Sequence, residues 1–255
     1  MCMDKRMILN GAGTYYFTVR GAKDAQLFRS VFEYEYFRKL LAQTEGCQLI
    51  AYVFSEYQAQ WVMHCDQDWQ VVLDNIRAQM QELHFKLWHK HQPIISESAD
   101  VIFVEEDTFL VPLVMQLHHW PVSSGLAPSP EVYPWSSDKD YRLPQDQQSL
   151  SNSGLNTSRM LIRLGKQRFN TSLRYERMME QFEPWSIEQA KNRLYQALAS
   201  DACIASYLSS KNPDNSHSKQ QIVCLRQQAE KLICALLGVP IEQARQPRFR
   251  RRYYQ

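Results

Sequence analysis

The order of apolar patterns in the first half of the chain limits the folds that it can adopt. Side chains that alternate with a period of two predict strands, and apolar side chains that recur every three or four residues predict helices. The predicted elements, in chain order, are a strand at 14–20, a helix at 28–42, strands at 47–54 and 60–64, a helix at 69–88, a strand at 101–104 and a helix at 105–119. The order β-α-β-β-α-β is typical of a ferredoxin-like α+β sandwich.

A polar segment divides the chain after this series. Residues 144–158 are rich in Ser, Asn and Gln and have no periodic apolar pattern, which is typical of a linker. The residues beyond it show only helical patterns. We therefore expect an α+β domain at 8–143, a linker at 144–158 and an all-helical C-terminal region with a basic tail at 159–255.

Composition indicates an intracellular protein that does not cross a membrane. Of the 255 residues, 44% are hydrophobic, but no apolar run approaches the roughly 18 residues that span a bilayer. The first residues contain no apolar stretch long enough for a secretory signal. The 6 cysteines are scattered without a C-x-x-C pair, which favours reduced thiols over a disulfide framework or a zinc site. We expect a cytoplasmic protein.

Positive charge is concentrated in two segments, although the net charge is only +2. Residues 243–255 contain five arginines and no acidic residue, with aromatic residues between them. Residues 157–180 are also basic, and contain Arg159, Arg163, Lys166, Arg168, Arg174 and Arg177. Basic side chains near aromatic rings suit phosphate contact with base stacking, whereas the alternative is a solvated helix face and a frayed terminus.

Four segments occur in an order and spacing that resemble a known family. They are TVRG at 18–21, AYVFSEYQAQWVM at 51–63, QLHHWPVSSGL at 116–126 and YPWSS at 133–137. Together they resemble the landmarks of the REP-associated branch of the single-tyrosine HUH transposases, which belong to bacterial mobile elements. The resemblance covers residues 8–143. The segment after the linker is also similar to the helical extension of longer relatives, with Tyr175 in the place of a family tyrosine.

The resemblance implies a DNA strand-transfer site that this chain lacks. In the family, two histidines on one face of a strand hold a divalent metal, and a tyrosine attacks the DNA phosphate. The histidine positions fall on Gln58 and Gln60, and counting back from the acidic turn places the tyrosine at Ala99. No tyrosine lies between Gln58 and Val132. We expect neither the family's metal cofactor nor its catalysis.

Two alternatives to a catalytically inactive DNA-binding protein remain. A divergent transposase or single-strand nuclease would need a rearranged site, for which His89, His91 and Tyr57 are the candidates. His89 and His91 are two residues apart at the end of a predicted helix, where their directions differ by about 200°. A protein–protein interaction module would use the six tryptophans and the long helices instead.

The resemblance also implies recognition of single-stranded or hairpin DNA by basic side chains around the sheet and the adjoining helices, by a monomer or a homodimer. Arg20 is the strongest candidate because it lies in the TVRG segment at a strand end. The candidate DNA-binding residues are Arg20, Lys23, Arg77, Lys86, Lys90, Arg168, Arg174, Arg248, Arg250, Arg251 and Arg252. His118 and His119 are neighbours on a predicted helix, which indicates packing or capping residues near its C-terminal end.

Overall fold

A four-stranded antiparallel sheet forms the centre of the protein. The computed structural model describes residues 12–89, 92–104, 106–144, 154–164 and 171–183. The strands are β1 (Gly13–Arg20), β2 (Cys47–Phe54), β3 (Gln58–Cys65) and β4 (Asp100–Phe103). Their spatial order is β2-β3-β1-β4, and each neighbouring pair is antiparallel. The expected α+β class is therefore confirmed.

The helices fall into an early pair and a later group. The early pair is α1 (Val31–Ala42) and α2 (Trp69–Trp88). The later group is α3 (Val111–Ser123), α4 (Asp138–Arg142), α5 (Ser158–Leu164) and α6 (Thr171–Glu180). Short 3₁₀ turns occupy Ala22–Asp24 and Pro130–Val132, and a π-helical turn occupies Glu106–Leu110. No helix in the described parts of the chain is long and apolar enough to cross a bilayer.

One face of the sheet is apolar and is covered by α1 and α2. Alternate residues of β1, namely Tyr15, Phe17 and Val19, are buried in a core cluster with the apolar faces of both helices. The register pairs Phe17 with Trp61 of β3, and their rings stack with centroids 4.9 Å apart. Burial of this alternating set drives the strands onto the two helices.

The opposite face of the sheet is covered by the later helices. Tyr16 and Val62 are directly opposite each other in the register. The residues on either side of each of them point into the core cluster, so Tyr16 and Val62 belong to this second face. Helix α3 packs against β2 and β3, while α6 packs against α4 and α5. A compact unit spans Asn10–Phe182, so α5 and α6 belong with the sheet. The domain boundaries expected at 144–158 remain predictions.

Most element ends agree with the sequence pattern, and the differences have local causes. The predicted strand at 60–64 extends to Gln58–Cys65 because β3 pairs along the full length of β1. Helix α1 begins at Val31 rather than at residue 28, because Phe28 donates its backbone N–H to the carbonyl of Glu56 and Ser30 caps the helix.

The predicted helix at 105–119 is divided into two kinds of helical turn. The π-helical turn ends at Leu110, and α3 then continues to Ser123. Pro112 lies in the first turn of α3, at this junction, and has no N–H to donate. The helices and the basic tail that are expected beyond residue 183 lie outside the described residues.

Candidate nucleic-acid interface

The two glutamines at the expected metal-ligand positions lie on the same face of β3. Gln60 is only 5% exposed, and its side-chain carbonyl accepts a hydrogen bond of 2.5 Å from the hydroxyl of Tyr16. Burial raises the pKa of Tyr16 to about 12, a hydrogen bond with Thr18 opposes that shift, and Asp100 adds to it. The phenol of Tyr16 therefore remains protonated and donates at neutral pH, and the side-chain carbonyl of Gln60 accepts this hydrogen bond within the sheet.

The residues around these glutamines do not fit the transition-metal site of the HUH family. An amide carbonyl is a hard, uncharged ligand and lacks the imidazole nitrogen that such metals favour. Gln58 is half-buried at the start of β3, and Gln60 already accepts the hydrogen bond from Tyr16. Within the described ranges, no group of three or more His, Cys, Asp or Glu side chains is placed to hold a metal ion.

The TVRG segment lies beside the turn that precedes Gln58. Arg20 is exposed and lies opposite Gln58 in the register of β1 and β3. Gly21 donates its backbone N–H to the carbonyl of Tyr57 at 3.0 Å. A Cβ atom at Gly21 would lie 1.7 Å from the carbonyl oxygen of Ala25, so only glycine fits there. This close approach fixes the position of Arg20 relative to the β2–β3 turn.

The YPWSS segment runs along the outer side of β2. Ser136 forms an antiparallel bridge with Val53, and Phe54 donates its N–H to the carbonyl of Trp135 at 2.9 Å. The hydroxyl of Tyr133 donates to the carbonyl of Phe54 at 2.7 Å. The segment is therefore held mainly by backbone hydrogen bonds to β2, close to the turn that precedes Gln58.

A buried polar network joins this segment to α3 and α6. His118 of α3 contacts the hydroxyl of Ser137 through Nε2 and the hydroxyl of Tyr175 through Nδ1, both at 2.6 Å. Tyr175 donates to a carboxylate oxygen of Asp138 at 2.5 Å, and Arg142 donates to the other oxygen at 2.6 Å. We refer to His118, Ser137, Asp138, Arg142 and Tyr175 as the buried network. It fastens three elements that are distant in the sequence.

The buried network has a structural role. Burial lowers the pKa of His118 to about 4, with Asp138 opposing and Arg142 adding to the shift, so the imidazole is neutral at physiological pH. His118, Ser137, Asp138 and Tyr175 are each no more than 1% exposed, so no substrate reaches the serine beside the histidine. The expectation that His118 is a packing residue agrees with this burial. The alternative, that a charged His118 caps the end of the helix, disagrees with this burial, since burial keeps the side chain neutral.

A second polar cluster occupies part of the basic segment at 157–180. Arg159 and Arg163 form ion pairs with the carboxylate of Glu106, at 2.5 Å and 2.7 Å. Burial favours the neutral form of Glu106, but hydrogen bonds with His64 and Thr14 and the charge of Arg159 outweigh it and lower the pKa to about 2. These two arginines therefore bind the protein's own acid, and they are weaker candidates for DNA contact than the sequence alone indicates.

The candidate DNA-binding residues that the structure describes do not form one group of contacts. Lys23 is exposed in the 3₁₀ turn after β1, at a positive φ of 52°. Arg77 donates to the carbonyls of Ser96 and Glu97, which connects α2 to the segment before β4. Lys86 is exposed and pairs with Glu82 at 2.6 Å, and Arg174 is exposed on α6.

Several predicted positions lie elsewhere or cannot be placed. Ala99 immediately precedes β4 and is partly buried against the core cluster, so it lies outside the described helices. Helix α3, which follows β4, also contains no tyrosine. His89 caps the C-terminal end of α2 in a left-handed conformation. The positions outside the described residues are Lys90, His91, Arg168, Arg248, Arg250, Arg251 and Arg252.

The comparisons with known proteins yield one structural likeness. No protein-family model matches the chain, and no curated protein matches it. A solved structure described as a REP-associated tyrosine transposase bound to a REP hairpin is similar to the chain at 18% sequence identity and a TM-score of 0.44. The similarity covers 54% of this chain and 82% of that chain.

Proposed function

We propose that this protein is a transposase-like DNA-binding protein with a ferredoxin-like core, which recognises single-stranded or hairpin DNA without cutting it. The observation that carries the proposal is the spatial grouping of the four segments that resemble transposase landmarks. The order β-α-β-β-α-β of the described elements supports the ferredoxin-like assignment.

The four segments are far apart in the sequence but adjacent in the structure. TVRG meets the β2–β3 turn through the hydrogen bond from Gly21 to Tyr57. YPWSS lies along β2, and the segment at the end of α3 reaches it through the contact of His118 with Ser137. The four segments that resemble transposase landmarks thus form one continuous region, which supports an architecture shared with that family.

The absence of strand cleavage is part of the proposal. Its support is the replacement of the metal-binding pair by Gln58 and Gln60, with Gln60 engaged by Tyr16. No tyrosine lies between Gln58 and Val132 in the sequence. The protein in this proposal has neither a resident divalent metal nor a nucleophile, and its affinity for DNA comes from basic side chains such as Arg20.

A gel-shift experiment on the full-length protein tests the binding. Single-stranded, hairpin and duplex oligonucleotides are compared between about 50 and about 300 mM salt, since phosphate contacts lose affinity steeply as salt rises. We expect the hairpin and single strand to bind more tightly than the duplex. Arg20→Ala should weaken binding about tenfold at about 100 mM salt and reduce the salt dependence. Lys39→Ala, which removes an exposed charge from α1, is the matched control.

Different outcomes contradict different parts of the proposal. Binding that is absent or insensitive to salt for all three oligonucleotides would exclude the DNA-binding function and favour a protein–protein interaction module. The same samples are run on a denaturing gel after incubation with Mg²⁺ or Mn²⁺. A covalent protein–DNA adduct there would show an active, rearranged site while leaving the binding intact. A combined Ala replacement of Arg248, Arg250, Arg251 and Arg252 tests the basic tail separately.

A further inference from the structure

Two cysteines that are distant in the sequence are direct partners in the sheet. Cys47 begins β2 and Cys65 ends β3, and the register places them opposite each other. The N–H of Asp66 donates to the carbonyl of Gly46 at 2.8 Å, just outside the pair. That bond makes Cys47 and Cys65 a non-hydrogen-bonded pair, in which Cα atoms lie about 4.5 Å apart. This separation is within the range that a disulfide spans.

Both thiols lie on the same face of the sheet. Cys65 is buried in the core cluster, and Cys47 is a partly buried residue packed against that cluster. Side chains of a non-hydrogen-bonded pair approach each other more closely than those of a hydrogen-bonded pair. The two sulfur atoms therefore need little backbone movement to meet.

The two cysteines differ in exposure and in the direction in which their pKa values are shifted. A hydrogen bond with the Cys65 thiol lowers the pKa of Cys47, although burial and Asp66 oppose the shift. The pKa of Cys65 is raised by its hydrogen bond with Cys47, by burial and by the nearby charges. Cys47 is also partly exposed, whereas Cys65 is fully buried. An oxidant from solvent thus meets Cys47 first, and its thiolate is the nucleophile.

We propose that Cys47 and Cys65 are a modification site, at which a peroxide converts the two thiols to a reversible cross-strand disulfide. The Cys47 thiolate attacks one peroxide oxygen and becomes a sulfenic acid, and the other oxygen leaves as hydroxide, which a proton converts to water. The sulfur of Cys65 then attacks the sulfur of Cys47 and expels the hydroxyl group, which takes the proton of the Cys65 thiol and leaves as water. In total, two thiols and hydrogen peroxide give one disulfide and two water molecules.

The disulfide would close the open end of the β2–β3 hairpin, whose other end carries Gln58. Joining the two strands restricts the unfolded chain and stabilises the native state. We expect the oxidised protein to melt about 5 °C higher than the reduced protein. The same link would be absent under reducing conditions, since thiol–disulfide exchange restores both thiols.

Peptide mapping of the full-length protein tests the site. The other four cysteines, Cys2, Cys203, Cys224 and Cys234, are replaced by Ser, and the folded protein is treated with hydrogen peroxide. No Lys or Arg separates Cys47 from Cys65, so trypsin leaves both in one peptide, and Glu56 is the only acidic residue between them. Further digestion after glutamate places Cys47 and Cys65 in separate fragments, and these two fragments should stay joined until dithiothreitol is added. Their joined mass should be smaller by two hydrogen atoms than the sum of the reduced fragments.

The single variants give the matched controls. Cys65→Ser leaves Cys47 without a resolving thiol, so peroxide should carry it to sulfenic and then sulfinic acid. Cys47→Ser should leave Cys65 reduced. The proposal is overturned if both thiols of the oxidised parent protein still react with an alkylating agent, or if Cys47 becomes a sulfinic acid while Cys65 remains a thiol. Circular dichroism before oxidation confirms that each variant is folded.

Discussion

The two faces of the sheet are stabilised by different kinds of contact. The face toward α1 and α2 is packed mainly with apolar and aromatic side chains, and Phe17 stacks there on Trp61. The two helices are also joined to each other by a buried ion pair between Glu33 and His84. The face toward α3 holds the buried network, and the contact between Tyr16 and Gln60. Burial of apolar side chains involves no titrating group, whereas a buried polar network depends on the presence of every member. The protein therefore combines one face that sets the fold with another that positions particular segments.

The largest expected effect lies on the apolar face. Phe17→Ala removes a fully buried ring and leaves a cavity beside Trp61. We expect the free energy of unfolding to fall by about 4 kcal/mol, and by the same amount at about pH 5 and pH 7.5. Urea denaturation measures both values. Val31→Ala, at an exposed valine of α1, should change stability by less than about 0.5 kcal/mol. A strongly pH-dependent loss for Phe17→Ala would contradict the assignment of the packing around Phe17 as apolar.

The next effect lies in the buried network. Asp138→Ala removes the acceptor of both Tyr175 and Arg142 and leaves those donors without it. We expect the free energy of unfolding to fall by about 3 kcal/mol, since two hydrogen bonds to a charged carboxylate are lost and the buried hydroxyl of Tyr175 loses its acceptor. Asp138→Asn retains one carbonyl acceptor and should cost about half as much. If the two variants are equally stable, the charge–charge contact contributes little and the comparison between the faces is weaker than proposed.

The smallest of the three effects at neutral pH is the pH dependence that His118 introduces, which acts only in acid. Folding lowers its pKa from 6.5 to about 4, so the unfolded chain takes up the proton first as the pH falls. The stability is fully present above pH 6.5 and is lost between about pH 6.5 and pH 4, by about 3 kcal/mol in total. His118→Gln should flatten the stability curve in this window. His119→Gln, a neighbouring histidine on α3, is the matched control and should leave the slope unchanged.

The apolar face could be predicted from the sequence, and the network face could not. The sequence pattern predicts a strand at 47–54 and a helix at 69–88, which are the bounds that β2 and α2 have, because periodicity is a local property. The buried network joins His118 to Tyr175, 57 residues away. No local sequence pattern records such a contact.

The candidate site shows the same limit. The sequence alone identified the replacement of two histidines by Gln58 and Gln60, because that argument needs only an alignment. The sequence could not show that the hydroxyl of Tyr16 donates a hydrogen bond to Gln60, since the two residues are 44 positions apart. The sequence pattern indicates scattered, reduced thiols and pairs no two cysteines. The register of β2 and β3, by contrast, makes Cys47 and Cys65 direct partners. Contacts that depend on strand pairing became visible only with the fold.

The segments packed along β2 restrict how copies of this chain can associate. An edge strand with unpaired N–H and C=O groups is a template on which a second molecule can extend the sheet. Along β2, the carbonyls of Leu49, Ile50 and Tyr52 accept hydrogen bonds from Asn156, Tyr141 and Ser137, and Phe54 bonds to Trp135. The β2 edge is thus closed to strand addition. Within the part of the chain that the structure describes, a homodimer would form through side-chain surfaces or through the short β4 edge, and fibre-like growth through β2 is disfavoured.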